Sequence, residues 1–128
     1  MTLVDTSVWI DYFRNGITAD TVVALIRENE LCTNDVILAE LIPSINQRRE
    51  FELKELLLSV PKLQLRIDWD GLVSMQTENL RNGINKVGMA DLMIAQNAMQ
   101  NGIALFSCDR HFQLMASVMP LPLFRGTA

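Results

Sequence analysis

Apolar residues fall in short runs set between longer stretches where apolar and polar positions recur with a helical period. Thr2-Leu3-Val4 ends abruptly at Asp5 and predicts a strand buried on both faces. Thr6–Arg14 places Val8, Trp9, Tyr12 and Phe13 on one face, which predicts a helix ended by Asn15-Gly16. A second helix is expected over Asp20–Asn29, from Val22, Val23, Leu25 and Ile26, followed by a short strand at Leu31-Cys32-Thr33. Asn34 or Asp35 caps a third helix through about Ile45, with Pro43 bending or ending it. Gln47–Ser59 reads as a fourth helix. After Pro61, the alternation over Leu63–Ile67 predicts another strand. Helices follow at Asp70–Arg81 and Met89–Gln100, separated by the polar loop Asn82–Gly88. Ile103–Phe106 predicts a strand, Asp109–Val118 a helix, and Leu121–Phe124 a last short strand among prolines. Short strands alternating with helices imply βα units: an α/β fold with a short parallel β-sheet flanked by helices.

Composition narrows this further. A chain of 128 residues, 49% hydrophobic and 20% charged, can bury a core without disulfides or a structural metal, so a single domain over residues 1–128 is expected. No apolar run reaches the ~18 residues of a spanning helix, and the N-terminus lacks the pattern of a signal peptide. A cytoplasmic protein with no membrane association is therefore expected. Cys32 and Cys108 read as small core residues in a reducing compartment. One histidine, His111, excludes a multi-histidine zinc site. The net charge of −4 argues against gripping nucleic acid by bulk electrostatics. It leaves room for phosphate chemistry through bound cations, which reverse the local sign.

Four acids stand where solvated acids do not belong. Asp5 ends the first strand. Glu40 lies in Val36-Ile37-Leu38-Ala39-Glu40-Leu41-Ile42, a helix apolar almost all round. Asp91 lies in Met89-Ala90-Asp91-Leu92-Met93-Ile94-Ala95. Asp109 follows the strand Ile103–Phe106 just ahead of a helix. Singly, Asp5 and Asp109 could cap helices, Asp91 could answer a helix dipole, and Glu40 could pair with an arginine. Jointly, they fall at the carboxyl ends of parallel strands or in the first turns of the helices that follow, where α/β folds bind ligands. Converging carboxylates require protonation or cations, and all-oxygen ligands select Mg²⁺ or Mn²⁺. Thr6 and Ser107 offer hydroxyls beside Asp5 and Asp109, and local turn bonding explains them equally well.

The blocks Val4-Asp5-Thr6-Ser7-Val8-Trp9-Ile10-Asp11, Leu38-Ala39-Glu40-Leu41, Gly88-Met89-Ala90-Asp91-Leu92-Met93-Ile94-Ala95 and Leu105-Phe106-Ser107-Cys108-Asp109-Arg110-His111-Phe112 resemble those of PIN-domain ribonucleases, specifically VapC-type toxins of bacterial toxin–antitoxin pairs. The blocks come in family order and span essentially the whole chain. The resemblance implies a PIN-like three-layer α/β/α fold and a Mg²⁺-dependent endoribonuclease, with Mn²⁺ as substitute. It implies a metal-binding, catalytic quartet of Asp5, Glu40, Asp91 and Asp109, with catalytic hydroxyls at Thr6 and Ser107. Where Ser107 stands, family members often carry Thr. It further implies an RNA substrate, a homodimer, and a hetero-oligomer with a cognate antitoxin. The antitoxin would pack on an apolar groove expected from Trp9, Tyr12 and Phe13 with the apolar faces of residues 36–58, most of which read as ordinary core. Asp11 reads as a solvated acid or a fifth, outer carboxylate. His111-Phe112 is similar to a family packing feature, so no catalysis is expected of His111. Arg14, Lys86 and Arg110 are candidates for RNA phosphates.

Other classes fit these residues less well. A phosphatase or phosphotransferase of the HAD type also uses an Asp after its first strand, but needs a second Asp two residues later, where this chain has Ser7. A receiver-like domain needs an acidic pair there. A non-catalytic PIN-like regulatory domain remains an alternative, against which the four intact acids speak.

Overall fold

The computed structural model describes residues 1–126. Its elements are β1 (Thr2–Val4), α1 (Thr6–Phe13), α2 (Ala19–Arg27), β2 (Leu31–Cys32), α3 (Asp35–Arg48), α4 (Phe51–Ser59), α5 (Trp69–Arg81), α6 (Met89–Asn101), β3 (Ala104–Phe106) and α7 (Arg110–Ala116). The three strands form one parallel sheet in the order β2-β1-β3. β1 is central and wholly buried, which is why Thr2-Leu3-Val4 carries no exposed polar position. Its register pairs Leu3 with Cys32 on one side and with Leu105 on the other. The chain goes from β1 to one neighbour, then crosses to the opposite one. The crevice beyond the carboxyl ends of β1 and β3 is thus a topological switch point, the place where α/β sheets receive ligands.

The helices pack on this sheet around Trp9, Phe112, Ile37, Leu57, Leu92, Ile94 and Met115, all fully buried. Side chains cap the starts of four helices. Asp5 accepts from the Ser7 N–H at the start of α1, and Asn34 from Ile37 N–H at the start of α3. Asp68 accepts from Gly71 N–H in α5, and Asp109 from His111 N–H in α7. Each cap fixes where its helix begins and stabilises it by about 1 kcal/mol.

The structure departs from the expected elements in three places. Residues 63–67 are extended but form no strand; beside them only Thr33 and Lys62 form a bridge. Their backbone is served by amide side chains of α6 instead. Asn97 Nδ2 donates to the Gln64 carbonyl (3.1 Å), Gln100 Nε2 to the Arg66 carbonyl (2.8 Å), and Gln96 Nε2 to the Asp68 carbonyl (2.9 Å). Residues 121–124 reach the sheet edge through a single bridge, Leu105 to Leu123, because Pro120 and Pro122 have no N–H to extend a ladder. The helix expected from Gln47 begins instead at Phe51. α3 runs through Pro43 to Arg48, and Arg49 turns the chain in a left-handed conformation (φ 56°). Pro43 costs α3 one hydrogen bond without ending it.

Candidate functional site

The hydrogen bond from Asp5 N–H to the Phe106 carbonyl (2.9 Å) continues the sheet past its last residues and sets Asp5 beside the segment 107–109. Asp5 itself is 4% exposed. Its Oδ2 accepts from the Ser7 hydroxyl (2.7 Å), the Ser107 hydroxyl (2.8 Å) and, more weakly, Ser7 N–H (3.3 Å). Both hydroxyls are themselves held by backbone: Cys108 N–H donates to Ser7 Oγ and Asp109 N–H to Ser107 Oγ, each at 2.9 Å. Since each serine hydrogen is committed to Asp5, their 3.2 Å contact is a close approach between two oxygens that share one acceptor. The pair clamps one carboxylate oxygen and ties the end of β1 to the turn that carries Asp109. Among the described residues Asp5 Oδ1 accepts no hydrogen bond and is left for a ligand.

The other three acids surround this point. Thr6 Oγ1 donates to Glu40 Oε1 at 2.9 Å, across from α1 to α3. Asp109 Oδ1 accepts from His111 N–H at 2.9 Å. Asp91, half-buried in the first turn of α6, accepts no hydrogen bond among the described residues. Its carboxyl is pushed up to about 6, first by burial and then by the charges of Asp109, Asp5 and Glu40, with His111 opposing. The charges of Asp109, Asp5 and Glu40 thus all act on Asp91, although only Asp91 and Asp109 of the four, with His111, bring ligating atoms within 4.8 Å of one another. Glu40 departs from expectation in one respect: it is exposed, and its helix is apolar on fewer sides than the sequence suggests. Thr6 and Ser107 sit against Glu40 and Asp5, with their hydroxyl hydrogens spent on those carboxylates.

The arrangement fits a divalent cation. A free oxygen on buried Asp5 and an undonated, mutually repelled Asp91 are both relieved by positive charge. One testable consequence follows for stability. Asp91 holds its proton to about pH 6 in the fold but only to about 3.8 when unfolded, so the folded state binds the extra proton between those values. Without metal, stability falls as pH rises through that window. After discounting for solvent screening of a half-exposed group, the loss amounts to about 1 kcal/mol. Thermal unfolding in EDTA should show this slope in the wild type and a flatter one in Asp91→Asn. Parallel profiles would mean that Asp91 is not strained.

Ser7, given no role by the sequence, and His111, expected to take no part in catalysis, both lie at the site. Ser7 bonds Asp5 and Cys108, as above. His111 Nδ1 lies 3.5 Å from Asp109 Oδ1, and Asp91, Asp109 and His111 each offer a ligating atom within 4.8 Å of the others. Their signal was the recurrence of polar residues next to two of the four acids. Other readings change. Cys32 is buried, with its thiol pushed up to about 11 by burial, but Cys108 is exposed rather than core. Partial burial and then the charges of Asp11 and Asp5 raise its thiol, which keeps it protonated and weakly nucleophilic. Asp11 holds the turn after α1, accepting from Thr18 N–H (2.8 Å) and the Thr18 hydroxyl. The Thr18 hydroxyl and then its N–H hold Asp11 below the usual carboxylate range.

The expected groove residues divide between core and surface. Trp9 is core, packed edge-on to Tyr12, and neither lines the surface cleft. A cleft of about 220 Å³ instead runs between α1, α3 and α4, lined by Ile10, Phe13, Leu41, Ile45 and Leu53, with Glu40 in its wall. Arg14 and Arg48 stand in it as well.

The PIN domain model matches residues 2–118, nearly the whole chain. The chain belongs to the PIN-domain family. PIN domains are in general nucleases. No curated protein matches this PIN domain by sequence. Its fold is similar to that of solved structures at low identity. One is VapBC2 from Rickettsia felis bound to a DNA fragment from its promoter, with TM-score 0.75, 16% identity, and 98% of each chain covered. Another is DNA-bound VapBC from Salmonella typhimurium, with TM-score 0.71, 19% identity, 95% of this chain and 94% of that one. FitAcB from Neisseria gonorrhoeae gives TM-score 0.68, 18% identity, and 98% and 97% coverage. Among the described residues, no helix of this PIN domain is long and apolar enough to cross a membrane.

Proposed function

We propose that this PIN domain is a Mg²⁺- or Mn²⁺-dependent endoribonuclease, the toxin of a toxin–antitoxin pair, and that Asp5, Glu40, Asp91 and Asp109 are its metal-binding and catalytic residues. The observation that carries this reading is the convergence of the four acids, one of them buried with an unbonded oxygen and one with no donor at all. A divalent ion held there supplies Lewis-acid polarisation of a phosphodiester and of the attacking water. The chain's own residues do the rest. The Ser7 and Ser107 hydroxyls hold Asp5 Oδ2, so that Oδ1 keeps one direction. Thr6 holds Glu40. Asp91, which accepts no hydrogen bond among the described residues, is the carboxylate free to accept a proton from water at the reacting phosphate. In-line attack with departure of the 3′ oxygen leaves a 5′-phosphate and a 3′-hydroxyl.

The net charge of −4 means that affinity for RNA comes from the cation and a few rim cations such as Arg14, Lys86 and Arg110 rather than from a basic face. The cleft between α1, α3 and α4 supports a protein partner. It mixes apolar side chains with Arg14, Ser44, Arg48 and Glu50 and reaches the site at Glu40, so a segment lying in it would bring its end to the carboxylates. We assign it to the cognate antitoxin. A homodimer and a toxin–antitoxin hetero-oligomer, in a cytoplasmic setting, complete the reading; the VapBC structures that share this fold are in accord with it.

The test is cleavage by purified protein with Mn²⁺, on single-stranded RNA, the same RNA in duplex form, and single-stranded DNA. Cutting of RNA with 5′-phosphate products, suppressed by equimolar antitoxin, is expected. Cutting of DNA in preference to RNA, or cutting that the antitoxin leaves untouched, would overturn the substrate or the partner assignment respectively.

A further inference from the structure

The four acids account for the oxygen donors of the site but not for the imidazole beside them. His111 Nδ1 faces Asp109 Oδ1 at 3.5 Å. That is well beyond the about 2.7–2.9 Å of a charge-assisted hydrogen bond. It matches the about 3.0–3.5 Å between adjacent ligands on one ion bound at about 2.1–2.2 Å. Asp91, Asp109 and His111 each have a ligating atom within 4.8 Å of the other two, close enough for all three to share one ion. The imidazole is half-exposed and its ring meets no other acid in an ion pair among the described residues, while its backbone N–H is already used on Asp109 Oδ1. The ring is therefore tethered at the site through its main chain, and its nitrogen is unspent.

We propose that His111 Nδ1 is a protein ligand to the cation held by Asp91 and Asp109. It rests on the reading of the acids as a cation site and adds a nitrogen to that site. The addition changes which ion the site prefers. Mg²⁺ is a hard ion that takes oxygen and keeps its waters. Mn²⁺ and the later divalent metals accept imidazole readily and bind it in rising order. An imidazole added to the carboxylates thus favours Mn²⁺ over Mg²⁺, where carboxylates alone would discriminate little. The position is the second residue of α7, set by the Asp109 cap, so the ligand and its neighbour Asp109 are placed by the same turn.

The experiment is pulsed electron paramagnetic resonance of the wild-type protein with Mn²⁺, beside titrations of Mn²⁺ and Mg²⁺ into wild type and His111→Ala. A ¹⁴N coupling on bound Mn²⁺ in the wild type, lost in the variant, is expected. Mn²⁺ affinity should fall about tenfold in His111→Ala while Mg²⁺ affinity changes by less than about twofold. Mn²⁺ bound without nitrogen coupling, or equal losses for both ions, overturns the histidine assignment and leaves the carboxylate site standing. Failure of the wild type to bind Mn²⁺ at all overturns both. The wild-type spectrum decides the matter even if the variant folds poorly, which circular dichroism would reveal.

Discussion

Asp91→Asn and Asp5→Asn should each lower metal-dependent RNA cleavage by roughly 10³-fold or more, the scale seen when a group that stabilises developing charge is removed. Their effects on stability should part company. Asp91 carries a charge the fold resists, pushed up to about 6 with no donor to hold it. Removing that charge should raise the melting temperature of the metal-free protein at neutral pH. Asp5 is the opposite case. Its Oδ2 accepts from two hydroxyls and caps α1, and the amide oxygen of Asn can keep those bonds while losing the charge that strengthens them. Asp5→Asn should therefore be neutral to mildly destabilising, still folded, and inactive. Added Mn²⁺ should raise the melting temperature of the wild type more than of either variant. Equal cleavage by wild type and Asp91→Asn would remove Asp91 from the site. An unchanged or lowered melting temperature in that variant would show that the acids do not repel one another as their geometry requires.

The largest expected loss of stability lies away from the acids, at Asn97. This residue is 1% exposed, as Asn34 is fully buried. Asn34 Nδ2 donates to Asn97 Oδ1 (2.9 Å), and Asn97 Nδ2 donates to the Gln64 carbonyl (3.1 Å). Asn34 also caps α3 through Ile37 N–H at 3.0 Å. One buried amide chain thus joins α6, the extended segment 62–68 and the start of the helix that carries Glu40. Asn97→Leu keeps the branched shape with a somewhat larger side chain and strands two polar groups. At about 1–3 kcal/mol for each group left unpaired, the sum is about 3 kcal/mol, or roughly 10 °C in melting temperature. Pairing it with Asn34→Ser, which keeps a cap oxygen but removes the stranded amide, should restore part of the loss. A cost below about 1 kcal/mol for Asn97→Leu, measured by urea unfolding, would mean that the amide chain is not what holds this segment.

That same chain shows where a sequence reading stops. The alternation Leu63-Leu65-Ile67 marks an extended segment correctly. Periodicity cannot say whether the backbone finds a strand or a row of side chains as its partner. The polar residues Gln96, Asn97 and Gln100 on a helix otherwise buried nearly all round were the available signal. Asp5 and Asp109 were legible because a carboxylate following a short apolar run at a sheet end has few roles. For Glu40 the apolar surround does not hold, since it is exposed and its helix is less enclosed than its composition suggests, but its place in the first two turns of α3 does. Ser7 escaped notice because nothing in the spacing distinguishes a serine that clamps a carboxylate from one that caps a helix; here it does both. His111 was set aside with the packing of Phe112. Its ring comes to Asp109 only in the fold, because the direction of a side chain in the first turn of a seven-residue helix is set by tertiary contacts. Cys108 was read as core from its apolar neighbours Leu105 and Phe106, although the strand had already ended at Phe106.

The most direct check of the carboxylate site is a single parallel assay: wild type and Asp5→Asn on one mixed-sequence single-stranded RNA, each with Mg²⁺, Mn²⁺ and EDTA. Cleavage by the wild type with either ion, none with EDTA, and none by the folded variant under any condition is the expected result. Cleavage that persists in EDTA or in Asp5→Asn would contradict a nuclease built on these four acids.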